Sequence, residues 1–220
     1  MSLHTAVLLD LDGTLADTLA DLALTTNEIL ERYGRPAHPV DAYRRFVGNG
    51  AKKLIERALY PLTDQAQIEA AYRDFLSRYD ETCLRYVQPY DGIVPLLHRL
   101  RERGAALAVI TNKPEPQARR IVSHLFGDEL FYAVYGGKEN RAKKPDPATV
   151  LQALRERNIS PDRALFIGDS DVDILTAQNA GLRSVGVSWG FRGEEELRES
   201  GADVIAQTPA DILAFFERVF

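Results

Sequence analysis

The 220-residue chain has a single cysteine, Cys83, so an internal disulfide is excluded and a reducing compartment such as the cytoplasm is compatible. Cys83 falls in a helical pattern, where a packed thiol is the expectation. Histidine is scarce too: His4, His38, His98 and His124 show none of the short spacings that build a zinc site, and surface or packing roles are expected for them. No apolar stretch approaches the roughly 18 residues that span a bilayer, so no membrane segment is expected. The start, Met1-Ser2-Leu3-His4, has no basic segment leading into an apolar one, so no signal peptide is expected. Positive charge is not in excess: 27 Lys and Arg against 32 Asp and Glu leave −5, which argues against a broad nucleic-acid surface. Repeats and low-complexity stretches are missing. Also absent are Gly-x-x-x-x-Gly-Lys-Ser/Thr and a Gly-x-Gly-x-x-Gly after the first strand, so neither device for cradling a nucleotide is used.

What remains is ordinary globular composition, 45% hydrophobic and 27% charged, enough for one core plus an insertion or for two modest domains. The stretch that organises the chain is Val7-Leu8-Leu9-Asp10-Leu11-Asp12-Gly13-Thr14-Leu15. Its apolar run has no helical period and reads as a buried, parallel strand. Residues i and i+2 of a strand share a side, so Asp10 and Asp12 start from one face. Two like charges this close at the end of a buried strand are costly unless a cation or proton lies between them, and such a pair suits a hard divalent ion. A solvated Asp-x-Asp-Gly turn is the plainer alternative at this point.

After Leu15 the period changes. Apolar residues at spacings of three and four predict helices over 17–33, 40–46, 51–60 and 65–87, with Gly34 closing the first. No strand pattern occurs between about 15 and 88, so this is a helical insertion, with Gln88-Pro89-Tyr90-Asp91-Gly92 as its exit hinge. Gly48-Asn49-Gly50 lies between two of its helices, where a bare turn is the default. Beyond the hinge, helices and strands alternate. Helices are expected over 93–103, 115–126, 148–157, 172–180 and 211–220, and strands over 106–110, 132–135, 164–167, 184–187 and 203–205. The class is therefore α/β, a doubly wound, Rossmann-like parallel sheet with helices on both faces. Its reactive groups gather beyond the carboxyl ends of the strands.

That topology brings together Asp10 and Asp12, Thr111 and Asn112, Gly168-Asp169-Ser170, and Lys144 from a Pro-stiffened loop. Three carboxylates, a hydroxyl, an amide and an ammonium at one sheet edge suit phosphoryl transfer, which rests on positioning and charge neutralisation. Ser170 also reads as a helix N-cap, Asp171 as a first-turn acid and Lys143 as a solvated neighbour of Lys144.

Asp10-x-Asp12-Gly13-Thr14-Leu15, Thr111-Asn112, Lys144-Pro145 and Gly168-Asp169-Ser170-x-x-Asp173 resemble, in order, the four motifs of the haloacid dehalogenase-like superfamily. The resemblance covers the whole chain. It implies a core of residues 1–15 and 89–220 and a C1-type helical cap of residues 16–88. Phe46-Val47-Gly48-Asn49-Gly50 and Thr111-Asn112-Lys113-Pro114 further resemble its phosphoglycolate phosphatase subfamily. What the resemblance implies is a Mg²⁺-dependent phosphatase acting on small phosphomonoesters, 2-phosphoglycolate first. Asp10 would be the nucleophile that forms an aspartyl-phosphate, and Asp12 the acid and base, protonated when substrate arrives because of nearby negative charge. Mg²⁺ would be held by the carboxylates of Asp10 and Asp169 and the backbone carbonyl of Asp12. Thr111 and Lys144 would bind phosphate oxygens, with the backbone N–H groups of Leu11, Gly13 and Asn112; Thr14 and Lys113 join the substrate-binding set. Asp173 would orient Lys144 or a metal-bound water, and Ser170 would assist. Gly48, Asn49 and Gly50 would reach the non-phosphate end of the substrate. A sugar phosphomutase, a pyrophosphatase and a non-catalytic phosphate-binding module are the rival readings. Dehalogenase chemistry is disfavoured by Asp12, and phosphonatase chemistry by the lack of a marked cap lysine, Lys52 and Lys53 reading as helix surface. Oligomeric state is left open.

Overall fold

A computed structural model describes residues 5–220; the start Met1-Ser2-Leu3-His4, and with it the reading of His4, lies outside the described residues. The first strand, β1 (Thr5–Leu9), is buried throughout. Strand β2 (Ala16–Asp17) follows, then helices α1 (Leu19–Arg32), α2 (Tyr43–Phe46), α3 (Ala51–Leu59) and α4 (Gln65–Thr82), and strand β3 (Gln88–Pro89). The remainder alternates: α5 (Ile93–Glu102), β4 (Ala105–Pro114), α6 (Glu115–Phe126), β5 (Ala133–Gly137), α7 (Ala148–Arg155), β6 (Ala164–Gly168), α8 (Asp171–Ala180), β7 (Arg183–Val187), α9 (Glu194–Glu199), β8 (Val204–Ala206) and α10 (Pro209–Val219).

Six strands form one sheet in the order β5-β4-β1-β6-β7-β8, and every pairing in it is parallel. The chain leaves β1 toward β4 and β5, then crosses back to β6 on the other side, so β1 sits where the winding reverses. Such a switch point leaves a crevice at the carboxyl ends of its strands. Alternation along the strands divides the core into two clusters. Val7, Leu9, Leu107, Val109, Leu165 and Ile167 face one way, toward Ile93, Leu97, Ile121 and Phe216 of α5, α6 and α10. Ala6, Leu8, Ala106, Ala108, Ile110 and Phe166 face the other, toward Val150, Leu154 and Ala177 of α7 and α8. Helices on both faces make the sheet doubly wound.

The insertion departs and returns through a two-residue antiparallel ribbon, Ala16 opposite Pro89 and Asp17 opposite Gln88. These short strands were not legible as a sequence period because two residues have none. Buried Asp21 of α1 fastens the return, its carboxylate accepting from the Tyr86 and Val87 N–H groups at 3.0–3.2 Å. The α4 stripe Ile68, Ala71, Phe75 and Tyr79 is buried core, as an apolar stripe at helical spacing predicts.

Several boundaries differ from the sequence expectation. The 40–46 helix is a 3₁₀ turn, Val40–Ala42, followed by the single turn of α2. Helix α4 ends at Thr82 rather than near residue 87. Strand β4 does not stop at Ile110 but runs through Thr111, Asn112 and Lys113, with a register shift between Ile110 and Pro114. Helix α9 was not anticipated, its run of glutamates having only Leu197 buried. Cys83 is a buried free thiol. Among the described residues no helix is long and apolar enough to cross a membrane.

Candidate active site

The turn after β1 places Asp10 and Asp12 as alternation requires, both nearly buried. They meet different neighbours. Asp10 Oδ1 lies 2.9 Å from Lys144 Nζ, and that ammonium donates at 2.6 Å to Asp173 Oδ1. The second oxygen of Asp173 accepts from the Asp169 N–H, the Ser170 N–H and the Ser170 hydroxyl at 3.2, 3.1 and 2.7 Å. Asp173 is thus fully occupied: it holds Lys144 with one oxygen and the start of α8 with the other. Ser170 is the N-cap of that helix, bound to Asp173 three residues on.

Asp10, Asp169 and Asp173 bring carboxylate oxygens within 4.8 Å of one another. Against three carboxylates stands one ammonium, Lys144, so two negative charges are unbalanced in a buried site. Beyond its ion pair with Lys144, Asp10 Oδ1 has no hydrogen-bond partner although it is shielded from solvent. Burial, the largest effect, raises the Asp10 pKa to about 6; Lys144 opposes the rise, and Asp173 and Asp12 add to it. Burial, then Asp173 and Asp10, push Asp169 well above its ordinary value. Burial opposes charge on Lys144, but Asp10 and Asp173 outweigh it and hold the ammonium above its usual range. An all-oxygen donor set with surplus negative charge fits a hard divalent cation, with Asp10 and Asp169 as the carboxylates that keep an oxygen for it.

Asp12 stands apart. Its Oδ1 accepts from the Thr18 hydroxyl at 2.6 Å and from Lys113 Nζ at 2.9 Å. Its nearest charge is thus a cation, while the Asp10 carboxylate two residues back supplies the neighbouring negative charge expected. Lys113 is buried, and its Nζ also donates to the Tyr79 hydroxyl of α4 at 2.7 Å and lies 4.7 Å from that ring's centroid. Burial disfavours its charge, yet Asp12 and Tyr79 more than compensate and raise its pKa. Because β4 continues as a strand, Thr111 and Lys113 fall on one side and Asn112 on the other. The Asn112 side chain clasps the backbone of Lys144, donating to its carbonyl at 3.1 Å and accepting from its N–H at 2.9 Å, and reaches Gly48 O at 3.0 Å.

A cavity of about 30 Å³, room for a couple of water molecules, lies where the helical insertion meets the sheet. Asp10, Asp12, Thr111, Asn112 and Lys113 line one side; Leu22, Val47, Leu54, Phe75 and Tyr79 line the other. Gly48 and Gly50 also line it. Asn49 does not, contrary to the sequence expectation: its Oδ1 accepts from Arg57 Nη2 at 2.7 Å, which turns the amide away. The Gly13 N–H expected at the phosphate donates instead to Ala16 O at 3.0 Å, inside the turn. What Gly13 provides is space and a left-handed φ of +81°, since a Cβ would fall 2.2 Å from Asp169 Oδ2. Thr14 is buried and its hydroxyl has no partner.

Residues 7–187 match the family model described as haloacid dehalogenase-like hydrolase. The chain belongs to that family. It is 36% identical over 219 residues to a phosphoglycolate phosphatase of Colwellia psychrerythraea, covering 96% of each chain. It is 34% identical to the N-acetylmuramic acid 6-phosphate phosphatase of Pseudomonas aeruginosa over 97% of this chain and 95% of that one. Among solved structures it resembles a predicted phosphoglycolate phosphatase from Haemophilus somnus, with TM-score 0.90, 31% identity and coverage of 98% and 99%.

In this haloacid dehalogenase-like hydrolase, sequence reasoning overlooked Glu115, the residue that anchors the Lys144 loop. Its buried carboxylate takes Lys138 Nζ at 2.8 Å, Arg119 Nε at 3.2 Å, the Gly136 N–H at 3.2 Å and the Arg141 guanidinium. Lys138 and Arg141 belong to the segment that leads into Lys144. Burial acts to raise the pKa of Glu115, but the bonds from Lys138, Arg141 and Arg119 overcome it and hold the pKa at about 2. The folded value lies below the unfolded one, so this stabilisation is complete above about pH 4.5 and is lost as the pH falls toward 2. With Lys138 and Arg119 half-exposed, the shift is discounted to on the order of 2 kcal/mol. Glu115→Gln is expected to be less stable by that amount at neutral pH, the gap narrowing from about pH 4.5 and closing toward pH 2. Urea unfolding across that range measures it; a pH-independent gap would assign the loss to packing.

Proposed function

We propose that this protein is a phosphatase that hydrolyses small phosphomonoesters carrying a carboxylate, 2-phosphoglycolate foremost, through a phosphorylated Asp10. The observation that carries this reading is the division of two ammonium groups between the two carboxylates: Lys144 beside Asp10, Lys113 beside Asp12. A phosphate seated against Asp10 is neutralised by Lys144 and flanked by Thr111. Its leaving oxygen then lies toward Asp12, and whatever that oxygen carries lies toward Lys113. In a glycolyl ester this is a carboxylate two bonds away, so Lys113 is the group that selects for it.

Asp10 attacks phosphorus and the ester oxygen departs with a proton from Asp12; Thr18 and Lys113 both hold Oδ1, which leaves Oδ2 to carry that proton. Water then attacks the aspartyl-phosphate, Asp12 takes its proton, and phosphate is released. Mg²⁺, held by Asp10 and Asp169 with the Asp12 backbone carbonyl, would offset the repulsion between anionic nucleophile and anionic ester. The wall of Leu22, Val47, Leu54 and Phe75 excludes bulk water during transfer. The lone free thiol, Cys83, suits a cytoplasmic setting for this chemistry.

The relative named for N-acetylmuramic acid 6-phosphate favours a second acidic ester. The test is kcat/KM with Mg²⁺ over 2-phosphoglycolate, N-acetylmuramic acid 6-phosphate, non-acidic sugar phosphates, a nucleotide and pyrophosphate. At least a tenfold preference for 2-phosphoglycolate over the non-acidic esters is expected, about the worth of one charge-assisted hydrogen bond. An isomerised sugar phosphate in place of free phosphate identifies a mutase. No release from any ester ends the reading.

A further inference from the structure

The turn between β7 and α9, residues 189–192, touches the carboxylate group, the β1 turn and the helical insertion at once. Phe191 N–H donates to Asp169 Oδ2 at 2.7 Å. On the other side of the same peptide bond, Gly190 O accepts from Arg44 Nη1 of α2 at 3.2 Å. A trans peptide is planar, with its C=O and N–H pointing in opposite directions, so one rigid plate joins Arg44 to Asp169. The plate has no slack. A Cβ on Gly190 would fall 2.2 Å from Asp169 Cβ and 2.6 Å from Gly13 O, so the backbone is packed directly on the carboxylate. Trp189 Nε1 donates to Thr14 O at 3.2 Å, and Arg192 Nη2 donates to Val47 O at 2.8 Å, beside Gly48. The Arg44 guanidinium also lies 5.9 Å from the Phe191 ring centroid.

We propose that the Gly190–Phe191 peptide is a relay through which the docked helical insertion orients Asp169 for a divalent cation, with Arg44 as its positioning residue. The inference rests on the reading of Asp169 as a cation ligand. When α2 is docked, Arg44 fixes the tilt of the peptide plane and polarises it, strengthening the N–H donor. One oxygen of Asp169 is then pinned and the other presented. When α2 lifts away, the carbonyl loses its cationic partner and the carboxylate its fixed direction. Linkage makes the effect mutual: a cation on Asp169 favours the docked arrangement to the same degree.

Trp189, the only tryptophan in the chain, reports on this turn. Mg²⁺ is titrated into metal-free protein and followed by Trp189 fluorescence and by calorimetry. Arg44→Met keeps the apolar stem against Phe191 and removes the donor; it is expected to weaken Mg²⁺ binding about fivefold or more. Arg44→Lys retains a donor and recovers most of that loss. Arg120→Met cuts a different tether of the insertion, the contact of Arg120 with Asp80 of α4, and leaves Mg²⁺ affinity within about twofold of wild type. Equal affinity in Arg44→Met and wild type overturns the relay, and so does an equal loss in Arg120→Met, which would make it general loosening. Either result leaves the proposed function standing. A wild-type protein that binds no Mg²⁺ overturns both.

Discussion

Asp10→Asn is expected to lower kcat on every ester by about 10⁴-fold or more, because an amide cannot form the phosphorylated intermediate. The loss should fall on kcat while folding is retained. In metal-free protein the variant gains stability, and the sign follows from the raised pKa. Burial and the neighbouring carboxylates lift Asp10 from 3.8 to about 6, so its ionisation costs nothing below 3.8 and its full amount above 6. Wild type is therefore less stable than Asp10→Asn above pH 6, by roughly 3 kcal/mol, and nearly equal to it at pH 4. Urea unfolding in chelator at both pH values gives the gap, and acid-quenched labelling with phosphorylated substrate detects the covalent intermediate in wild type alone. Hydrolysis by Asp10→Asn at the wild-type rate would falsify the nucleophile assignment.

Lys113→Met carries the second large effect. The ammonium is buried between Asp12 and Tyr79, so removing it strands the Asp12 carboxylate with Thr18 alone. Breaking one side of a buried pair costs about 3 kcal/mol or more, which should appear as a lower urea midpoint. The selective effect is separate. If Lys113 receives the substrate carboxylate, kcat/KM for 2-phosphoglycolate falls roughly 30-fold further than for p-nitrophenyl phosphate, the worth of one charge-assisted hydrogen bond. Equal losses on both substrates would limit Lys113 to serving Asp12 and remove the main support for an acidic substrate. Because Tyr79 lies on α4, the same ammonium also ties the helical insertion to the Asp12 side of the site.

The parallel α/β sheet was legible because a buried strand declares itself locally, as an unbroken apolar run followed by a turn. The polar residues at the ends of β1, β4 and β6 could be assigned to one edge from connectivity alone, since parallel strands place their carboxyl ends together. Asp10, Asp12, Thr111, Lys144 and Asp169 were named on that basis and Asp173 through the resemblance, and the structure brings them to one edge. Which of them touch was not legible. Asp12 and Asp10 are two residues apart, yet one faces Lys113 and the other Lys144, a division made by residues about a hundred positions away. Glu115 and Arg44 carry no motif because their partners come from other elements, and Asn49 looked like a substrate contact until Arg57 claimed its amide.

Local patterning thus determined the class of fold, the chemistry at hand and the sheet edge where it gathers, because periodicity and turn formation act over a few residues. Tertiary structure alone decided the pairing of charges and the bridge from α2 to Asp169. Those depend on distances between segments that burial brings together, and a one-dimensional pattern does not contain them.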